Sequence, residues 1–417
     1  MNNISKRKNR LWQVALIAAV LVLAVGFFAK IYFKNSTLAN AHFDNYSNLS
    51  TAADAKTIAA NEKYNAKSVV LVDYFSGQTL FSQNPDTKLP IASMVKIMTL
   101  NIIFDDLASG TFALSDQIPI SQNAASMGGS QAFLDAGSTY SADELIKSII
   151  VASANDACVA MAEHLSGSVE SFVSRMNEKA QALSLTNTVF ANTTGLPVEN
   201  AAAYSTAADV ATMFRQLAAH KVFYDYANVW LYDLVHPGGR ATTLTNTNKL
   251  VRFYNGCDGG KTGFTSEALS CLAATAKRGD TRLIAVVVGS PEAKIRNAET
   301  SRLFNHGFAN FETKKIVGDD FVVENRAIVD KGRESSVGLK VDGEFYKLVK
   351  KGEKVDHELN IIVDSVKAPV LTGDVVGKIE IKSGGEIIGV VNLVASEDVK
   401  KASYLDIVNK FVDNWNK

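Results

Sequence analysis

Three short strings of residues constrain the fold of this chain more than any other feature. They are Ser93-Met94-Val95-Lys96, Ser153-Ala154-Asn155 and Lys261-Thr262-Gly263, in that order. Ser93 and Ser153 are 60 residues apart, and Asn155 and Lys261 are 106 residues apart. Each string alone is a loose pattern that unrelated proteins match by chance. The ordered set is typical of a site built around a serine nucleophile, so we expect the fold to bring three distant segments together.

The composition indicates a globular protein of two or three domains. The chain has 417 residues, of which 47% are hydrophobic and 21% are charged, values that argue against disorder. Its 43 basic and 43 acidic residues balance, and no basic stripe occurs. We therefore expect no nucleic-acid partner.

Residues 1–34 predict a signal peptide or membrane anchor. A basic stretch at 6–10 precedes an apolar run at 11–28, which is close to the length of about 20 residues that spans a bilayer. Cleavage and retention both stay open, because the small-residue site at 39–41 lies far beyond the apolar run. Residues 35–62 are small and polar and predict a linker. The rest of the chain is expected outside the cytoplasm.

The sequence predicts neither a metal site nor a cofactor. Cys158, Cys257 and Cys271 lack C-x-x-C spacing, and the six histidines lack the paired spacing of zinc ligands. So few cysteines fit an exported protein that does not depend on disulfides. We expect all three to be small buried residues.

Hydrophobic patterning predicts an α+β domain over residues 63–313. Strands are expected at 68–74, 79–82, 271–277 and 282–289. Helices are expected at 93–107, 140–165, 169–184, 207–219 and 297–311. Strands at both sequence ends with helices between them predict an antiparallel sheet with a helical subdomain.

The pattern changes after Lys314. Short β-branched runs, separated by Gly- and Lys-rich turns, occur at 321–323, 327–329, 337–341, 360–363, 378–381 and 387–390. They predict a small all-β domain over residues 314–399. Residues 400–417 predict an amphipathic helix, which either packs on the β domain or lies in a membrane interface.

Ser93 and Lys96 share one face of a predicted helix, because positions i and i+3 are neighbours. A serine hydroxyl is a weak nucleophile until a base removes its proton, and a lysine amine is such a base only when its pKa falls. Burial lowers a lysine pKa, and the segment around Lys96 is apolar on nearly all faces. The alternative is a capping serine followed by a surface lysine, but a surface helix would not place Lys96 in an apolar run.

Ser153 and Asn155 follow an apolar helix. Ser153 can relay a proton between Lys96 and Lys261, while Asn155 can hold both Lys96 and a substrate amide. The alternative for this string is an ordinary turn, which Ser and Asn favour.

Lys261-Thr262-Gly263 precedes a predicted strand. A strand edge beside the nucleophile can pair with an extended peptide, and Gly263 permits close approach. Lys261 and Thr262 offer a charge and a hydroxyl to a carboxylate. Arg296 is a further candidate for a carboxylate, although its residue type alone favours a surface position.

The sequence resembles the serine D-Ala-D-Ala carboxypeptidases of peptidase family S11, which are low-molecular-mass penicillin-binding proteins. The likeness spans about residues 65–400 and is most specific in three runs: Ser153-Ala-Asn-Asp-Ala-Cys-Val-Ala-Met-Ala, Gly256-Cys-Asp-Gly-Gly-Lys-Thr-Gly-Phe-Thr and Arg296-Asn-Ala-Glu-Thr. It implies a catalytic domain of the β-lactamase/transpeptidase-like fold followed by a small β domain.

The resemblance also implies a role for each site residue. Ser93 would be the acylated nucleophile and Lys96 its base, with Ser153, Asn155 and Lys261 as the proton and hydrogen-bond network.

Thr262 and Arg296 would hold the carboxylate of the leaving D-Ala, next to Gly263. The main-chain N–H groups of Ser93 and Phe264 would form the oxyanion hole. Phe264 stands where some members have His, which matters little because only its N–H is needed.

The implied substrate is the pentapeptide stem of peptidoglycan, with β-lactams as covalent inhibitors and action at the cell wall. Membrane contact is expected through the N-terminal segment, and the tail helix is a second candidate.

A β-lactamase is an alternative function, but it typically needs a Glu-x-x-x-Asn string between the second and third strings, and none occurs. A non-catalytic protein that binds the wall or senses β-lactams is another. Transpeptidation shares the acyl-enzyme and stays open.

Overall fold

The computed structural model describes residues 63–198 and 203–408. The predicted signal or anchor segment (1–34), the predicted linker (35–62) and the end of the tail (409–417) lie outside the described residues. Within the described ranges, no helix is both long and apolar enough to cross a membrane.

An antiparallel sheet of five strands forms the centre of the first domain. Its strands are β1 (Ser68–Asp73), β2 (Thr79–Gln83), β7 (Cys257–Thr265), β8 (Leu269–Arg278) and β9 (Thr281–Ser290). They lie in the order β2-β1-β9-β8-β7, so β7 forms one edge of the sheet.

The sheet is buried on both faces, because alternate residues of each strand point to opposite sides. On β1, Val70 and Val72 pack in the larger core with the helical block, whereas Val69 and Leu71 pack in the smaller core. This double burial explains the nearly continuous apolar runs that predict these strands.

Eight helices of the described chain precede β8 in sequence, and a ninth follows β9. They are α1 (Lys96–Ala108), α2 (Gln122–Ala125), α3 (Ala142–Val151), α4 (Asn155–Ser166), α5 (Val169–Ala182), α6 (Ala207–Leu217), α7 (Phe223–Ala227), α8 (Leu250–Phe253) and α9 (Ala293–Asn310). Two small antiparallel pairs are formed by β3 (Gln117–Pro119) with β4 (Thr139–Ser141) and by β5 (Leu231–Val235) with β6 (Ala241–Thr245).

One helix prediction is wrong in detail. Residues 140–165 form two helices, α3 and α4, rather than one. Ser141 begins the first with a capping box to Glu144, as the sequence predicts. The break falls at the second string, where Ser153 adopts a positive φ of 62° that no helix accommodates.

The all-β character predicted for the C-terminal region is confirmed. Its strands are β10 (Phe311–Val317), β11 (Arg326–Asp330), β12 (Ser336–Asp342), β13 (Phe345–Lys350), β14 (Glu358–Val363), β15 (Val366–Lys367), β16 (Val375–Ser383) and β17 (Glu386–Ala395). Six of them form a sheet in the order β14-β16-β17-β12-β11-β15, and β10 pairs with β13. The predicted run at 321–323 is not a strand.

The C-terminal strands contact the five-stranded sheet where α9 leads into β10. The Thr313 hydroxyl donates a hydrogen bond to the buried carboxyl of Asp73 at 2.9 Å. Nearby, the rings of Phe75 and Tyr346 stack with centroids 3.7 Å apart. A polar contact and an aromatic contact therefore join the C-terminal strands to the sheet that carries the site.

Candidate active site

Ser93 lies on a short 3-10 turn that leads into α1. The turn spans Ala92–Val95, and Ala92 has a positive φ of 47°. Strand β7 lies so close to this turn that a Cβ atom on Gly263 would be 2.6 Å from the carbonyl oxygen of Ile91. Glycine at this position therefore lets the third string lie beside the serine.

Lys96 is the first residue of α1 and is completely buried. Its Nζ atom lies 3.0 Å from Oγ of Ser93, 2.6 Å from Oδ1 of Asn155 and 2.7 Å from the carbonyl oxygen of Thr194. Burial lowers the pKa of Lys96 to about 8. Part of the lysine population is therefore a neutral amine close to neutral pH, next to the serine hydroxyl.

Ser153 and Asn155 reach the site from the break between α3 and α4. The amide nitrogen of Asn155 donates to the carbonyl oxygen of Gly128 at 2.7 Å, while its oxygen accepts from Lys96. The hydroxyl of Ser153 lies 2.8 Å from Nζ of Lys261. The positive φ of Ser153 is costly for a residue other than glycine, and such conformations cluster at functional sites.

Lys261 lies inside β7, not before a strand as predicted. Besides Ser153, its Nζ atom contacts the carbonyl oxygen of Thr262 at 3.0 Å. Burial is the main cause that lowers its pKa well below the usual value, and the positive charges of Lys96 and Arg296 lower it further. Two lysines and one arginine are thus buried near one another, although burial disfavours their charged forms.

The edge position of β7 leaves one side of its main chain free of strand partners among the described residues. The hydroxyl of Thr262 donates to that of Thr247 at 2.8 Å. The side chain of Phe264, two residues further on, is 68% exposed. A peptide can therefore reach the β7 edge beside Ser93.

Arg296 lies on α9 and is only 6% exposed, so the surface position that its residue type favours is wrong. Its guanidinium donates to the carbonyl oxygen of Cys271 at 3.3 Å and to Oδ1 of Asn297 at 2.9 Å. Burial lowers its pKa, and it forms no ion pair with a carboxylate among the described residues. A buried guanidinium without a carboxylate partner can bind the anionic group of a ligand.

The loop at 192–196 also belongs to the site, although no sequence motif predicted it. The carbonyl oxygen of Thr194 binds Lys96, and the side-chain oxygen of Asn192 accepts from the N–H groups of Thr194 and Gly195 at 3.0 and 2.6 Å. Gly195 has a φ of 82°, and a Cβ atom there would lie 2.0 Å from the oxygen of Ala92. The Asn-x-x-Gly spacing was the one available signal.

The cysteine thiols make none of the described contacts that hold Ser93 and Lys96. The described residues contain no group of three or more His, Cys, Asp or Glu side chains that could hold a metal ion. Cys158, Cys257 and Cys271 are buried and free. Burial raises the pKa of Cys158 to about 11, so its thiol stays protonated and unreactive.

Comparison with protein families matches both domains. The model of the D-alanyl-D-alanine carboxypeptidase family, peptidase S11, matches residues 54–292. The model of the penicillin-binding protein 5 C-terminal domain matches residues 311–401.

Individual relatives agree over most of the chain. It is 38% identical to D-alanyl-D-alanine carboxypeptidase DacF of Bacillus subtilis, covering 85% of this chain and 91% of the relative. It is 32% identical to D-alanyl-D-alanine carboxypeptidase DacC of Escherichia coli, and the match covers 87% of this chain and 91% of the relative. The crystal structure of penicillin-binding protein 5 from Haemophilus influenzae superposes with a TM-score of 0.63 at 32% identity, covering 82% of this chain and 99% of that one. This chain therefore belongs to the D-alanyl-D-alanine carboxypeptidase family, peptidase family S11.

Proposed function

We propose that the enzyme releases the terminal D-Ala of peptidoglycan stem peptides through an ester on Ser93. One observation carries this proposal: the buried amine of Lys96, with a pKa of about 8, lies 3.0 Å from Oγ of Ser93. The neutral amine takes the hydroxyl proton as the oxygen attacks the penultimate carbonyl carbon. The main-chain N–H groups of Ser93 and Phe264 then stabilise the oxyanion.

The leaving amine needs a proton, and Ser153 supplies it in this mechanism. Its hydroxyl contacts Lys261 at 2.8 Å, so the proton that Lys96 took from Ser93 can pass through Ser153 to the nitrogen of D-Ala as the peptide bond breaks, which returns Lys96 to its neutral form. Water then attacks the Ser93 ester, with Lys96 again as the base, and frees the shortened peptide. Asn155 holds Lys96 with its oxygen and has a second N–H for a substrate amide.

Carboxylate recognition follows from the distribution of charge. Lys261 and Arg296 are buried, and neither forms an ion pair with a carboxylate among the described residues. Buried charges are normally paired, so the site favours a ligand that brings a negative charge. We assign the terminal carboxylate of the substrate to Lys261, Thr262 and Arg296, with Gly263 allowing its main chain to approach.

β-Lactams combine an acyl carbon with a carboxylate and should acylate the same serine. A β-lactamase also requires a carboxylate that activates the deacylating water. In the described chain, the side-chain and main-chain groups that bond Lys96 are a hydroxyl, an amide oxygen and a carbonyl oxygen, with no carboxylate. This favours the carboxypeptidase. A non-catalytic sensor would have no need for a buried basic lysine.

We further propose the domain limits and the location of the enzyme. Residues 63–313 form the catalytic domain and 314–399 the β-rich domain. The apolar run within residues 1–34 exports the chain and then either anchors it in the membrane or is removed. Residues 35–62 link this segment to the catalytic domain. The enzyme then acts outside the cytoplasm at the cell wall. The apolar run and its basic flank support this proposal.

A peptide ending in D-Ala-D-Ala tests the proposed reaction. Free D-Ala and intact-protein mass are followed together, and we expect D-Ala release with a transient acyl adduct. Ser93→Ala should abolish both D-Ala release and labelling by a fluorescent penicillin, whereas Ser335→Ala, an exposed serine of the β domain, should change neither. Release of D-Ala by Ser93→Ala would rule out the assigned nucleophile. Fast nitrocefin turnover without a stable adduct would indicate a β-lactamase.

A further inference from the structure

A cavity of about 370 Å³ adjoins the turn that carries Ser93. Its lining includes Ala92, which immediately precedes the serine, and Thr265, the last residue of β7. Gly195 lines it as well, from the loop that holds Lys96. The cavity is therefore next to the proposed reaction centre, but the mechanism above makes no use of it.

The cavity combines apolar walls with charges. The walls are formed by Pro90, Ile91, Val189, Phe190, Leu196 and Val198. The lining also contains two exposed charged residues, Lys88 and Glu267. Neither forms an ion pair with a described residue, although the ammonium of Lys88 lies 4.8 Å from the ring centroid of Tyr204. A ligand with a long aliphatic chain and a charged end fits this chemistry.

The direction in which the substrate binds along β7 brings the residue before D-Ala-D-Ala to this cavity. This step rests on the proposed function, in which the terminal carboxylate lies at Lys261 and Thr262. The carbonyl attacked by Ser93 then lies near Gly263, and the upstream peptide continues along the β7 edge toward Thr265. A strand advances about 3.4 Å per residue, so the residue before D-Ala-D-Ala reaches the end of β7.

We propose that this cavity receives the side chain of the residue before D-Ala-D-Ala, and that Glu267 selects a side chain ending in an ammonium group. The aliphatic part would pack on the apolar walls, and the ammonium would pair with the carboxylate. Lysine and meso-diaminopimelate both carry such a group. The second also carries a carboxylate, for which Lys88 is the available partner.

Four peptides that differ only before D-Ala-D-Ala test the subsite. They carry L-lysine, meso-diaminopimelate, L-norleucine or L-glutamate, and kcat/KM is measured from D-Ala release at low ionic strength. Of the lysine and diaminopimelate peptides, we expect the one with the higher kcat/KM to exceed the norleucine peptide about two- to fivefold, the range for an exposed ion pair. The glutamate peptide should have the lowest kcat/KM. Added salt should reduce the difference, because salt screens exposed charges.

Two variants identify the responsible charge. Glu267→Gln should remove the preference for ammonium while leaving the norleucine peptide unchanged. Glu386→Gln, an exposed acid on β17, is the matched control and should preserve the preference. Lys88→Met should slow the diaminopimelate peptide and leave the lysine peptide unchanged, because only diaminopimelate carries the carboxylate that Lys88 would pair with.

The outcomes separate the subsite from the reaction. Equal kcat/KM for the lysine, diaminopimelate and norleucine peptides, with normal D-Ala release, would overturn the subsite and leave the proposed function intact. A preference that survives Glu267→Gln would also overturn it. If no peptide releases D-Ala while Ser93 still forms a penicillin adduct, the proposed function itself fails.

Discussion

The carbonyl oxygen of Thr194 accepts a hydrogen bond from Nζ of Lys96 at 2.7 Å, across 98 positions of sequence. This oxygen belongs to a loop that Asn192 shapes. The side chain of Asn192 accepts from the N–H groups of Thr194 and Gly195 and donates to the carbonyl oxygen of Leu196 at 2.7 Å. Asn192 therefore positions the proposed base through the main chain of this loop.

Asn192→Ala should impair this positioning. We expect acylation by a fluorescent penicillin to slow about 10- to 100-fold, because small displacements of catalytic groups are costly. The free energy of unfolding should fall by about 1–2 kcal/mol, since several partly exposed hydrogen bonds are lost. Asn192→Asp keeps the oxygen acceptors and should retain more of the rate. If both variants acylate at the normal rate, Asn192 does not position Lys96.

The pKa of Lys96 predicts how the rate depends on pH. Burial lowers this pKa from 10.5 to about 8, and the neutral amine is the active form. The acylation rate should therefore rise about tenfold per pH unit below pH 8 and level off above it. Because Lys96 and Lys261 are close, the measured value belongs to the pair of lysines rather than to Lys96 alone.

The same shift affects stability with a defined sign. Between about pH 8 and 10.5 the unfolded chain binds more protons at Lys96 than the folded chain, so the free energy of unfolding rises with pH in this window.

Lys96→Arg tests Lys96 as the base. The variant keeps a charge that cannot be removed, so it should acylate almost not at all, and its acylation rate should not rise with pH below pH 8. Stopped-flow labelling across the pH range measures this, and an unchanged profile in Lys96→Arg would exclude Lys96 as the base.

The local part of the site could be predicted from the sequence, because it depends on neighbours in the chain. Ser93 and Lys96 are one turn apart, and the apolar run around them indicates a buried lysine. The strand around Lys261 was less visible, since Gly259 and Gly260 have low strand propensity. In the fold these glycines avoid clashes, because a Cβ on either would lie within 3 Å of a neighbouring atom.

Contacts between distant segments could not be predicted in this way. The Thr194 carbonyl is a main-chain group, present at every position, so no residue type signals it. The burial of Arg296 depends on how α9 packs on the sheet, and the α9 pattern is weakly amphipathic. The resemblance to a family supplied Arg296, and local physical chemistry alone would have left it on the surface.

Arg296→Gln should weaken recognition of the substrate carboxylate. We expect kcat/KM for a peptide ending in free D-Ala to fall about 10- to 100-fold, the range for a lost charge-assisted hydrogen bond. The corresponding peptide amide, which has no terminal carboxylate, should lose little. Arg326→Gln, an exposed arginine of the β domain, serves as the control. Equal losses for the acid and the amide would point to a structural role for Arg296.

The exposed apolar side chains of the tail helix should bind membranes rather than pack on the β domain. In its described part, Tyr404 is 81% and Leu405 is 71% exposed, so neither packs against the β domain. The helix begins after Ser403, whose hydroxyl accepts from the N–H of Asp406 at 3.2 Å. We expect the chain lacking residues 1–41 to float with anionic phospholipid vesicles, and the double variant Tyr404→Ser/Leu405→Ser to float less, because apolar side chains provide interfacial binding. Flotation that is the same with and without residues 403–417 would leave the N-terminal segment as the anchor.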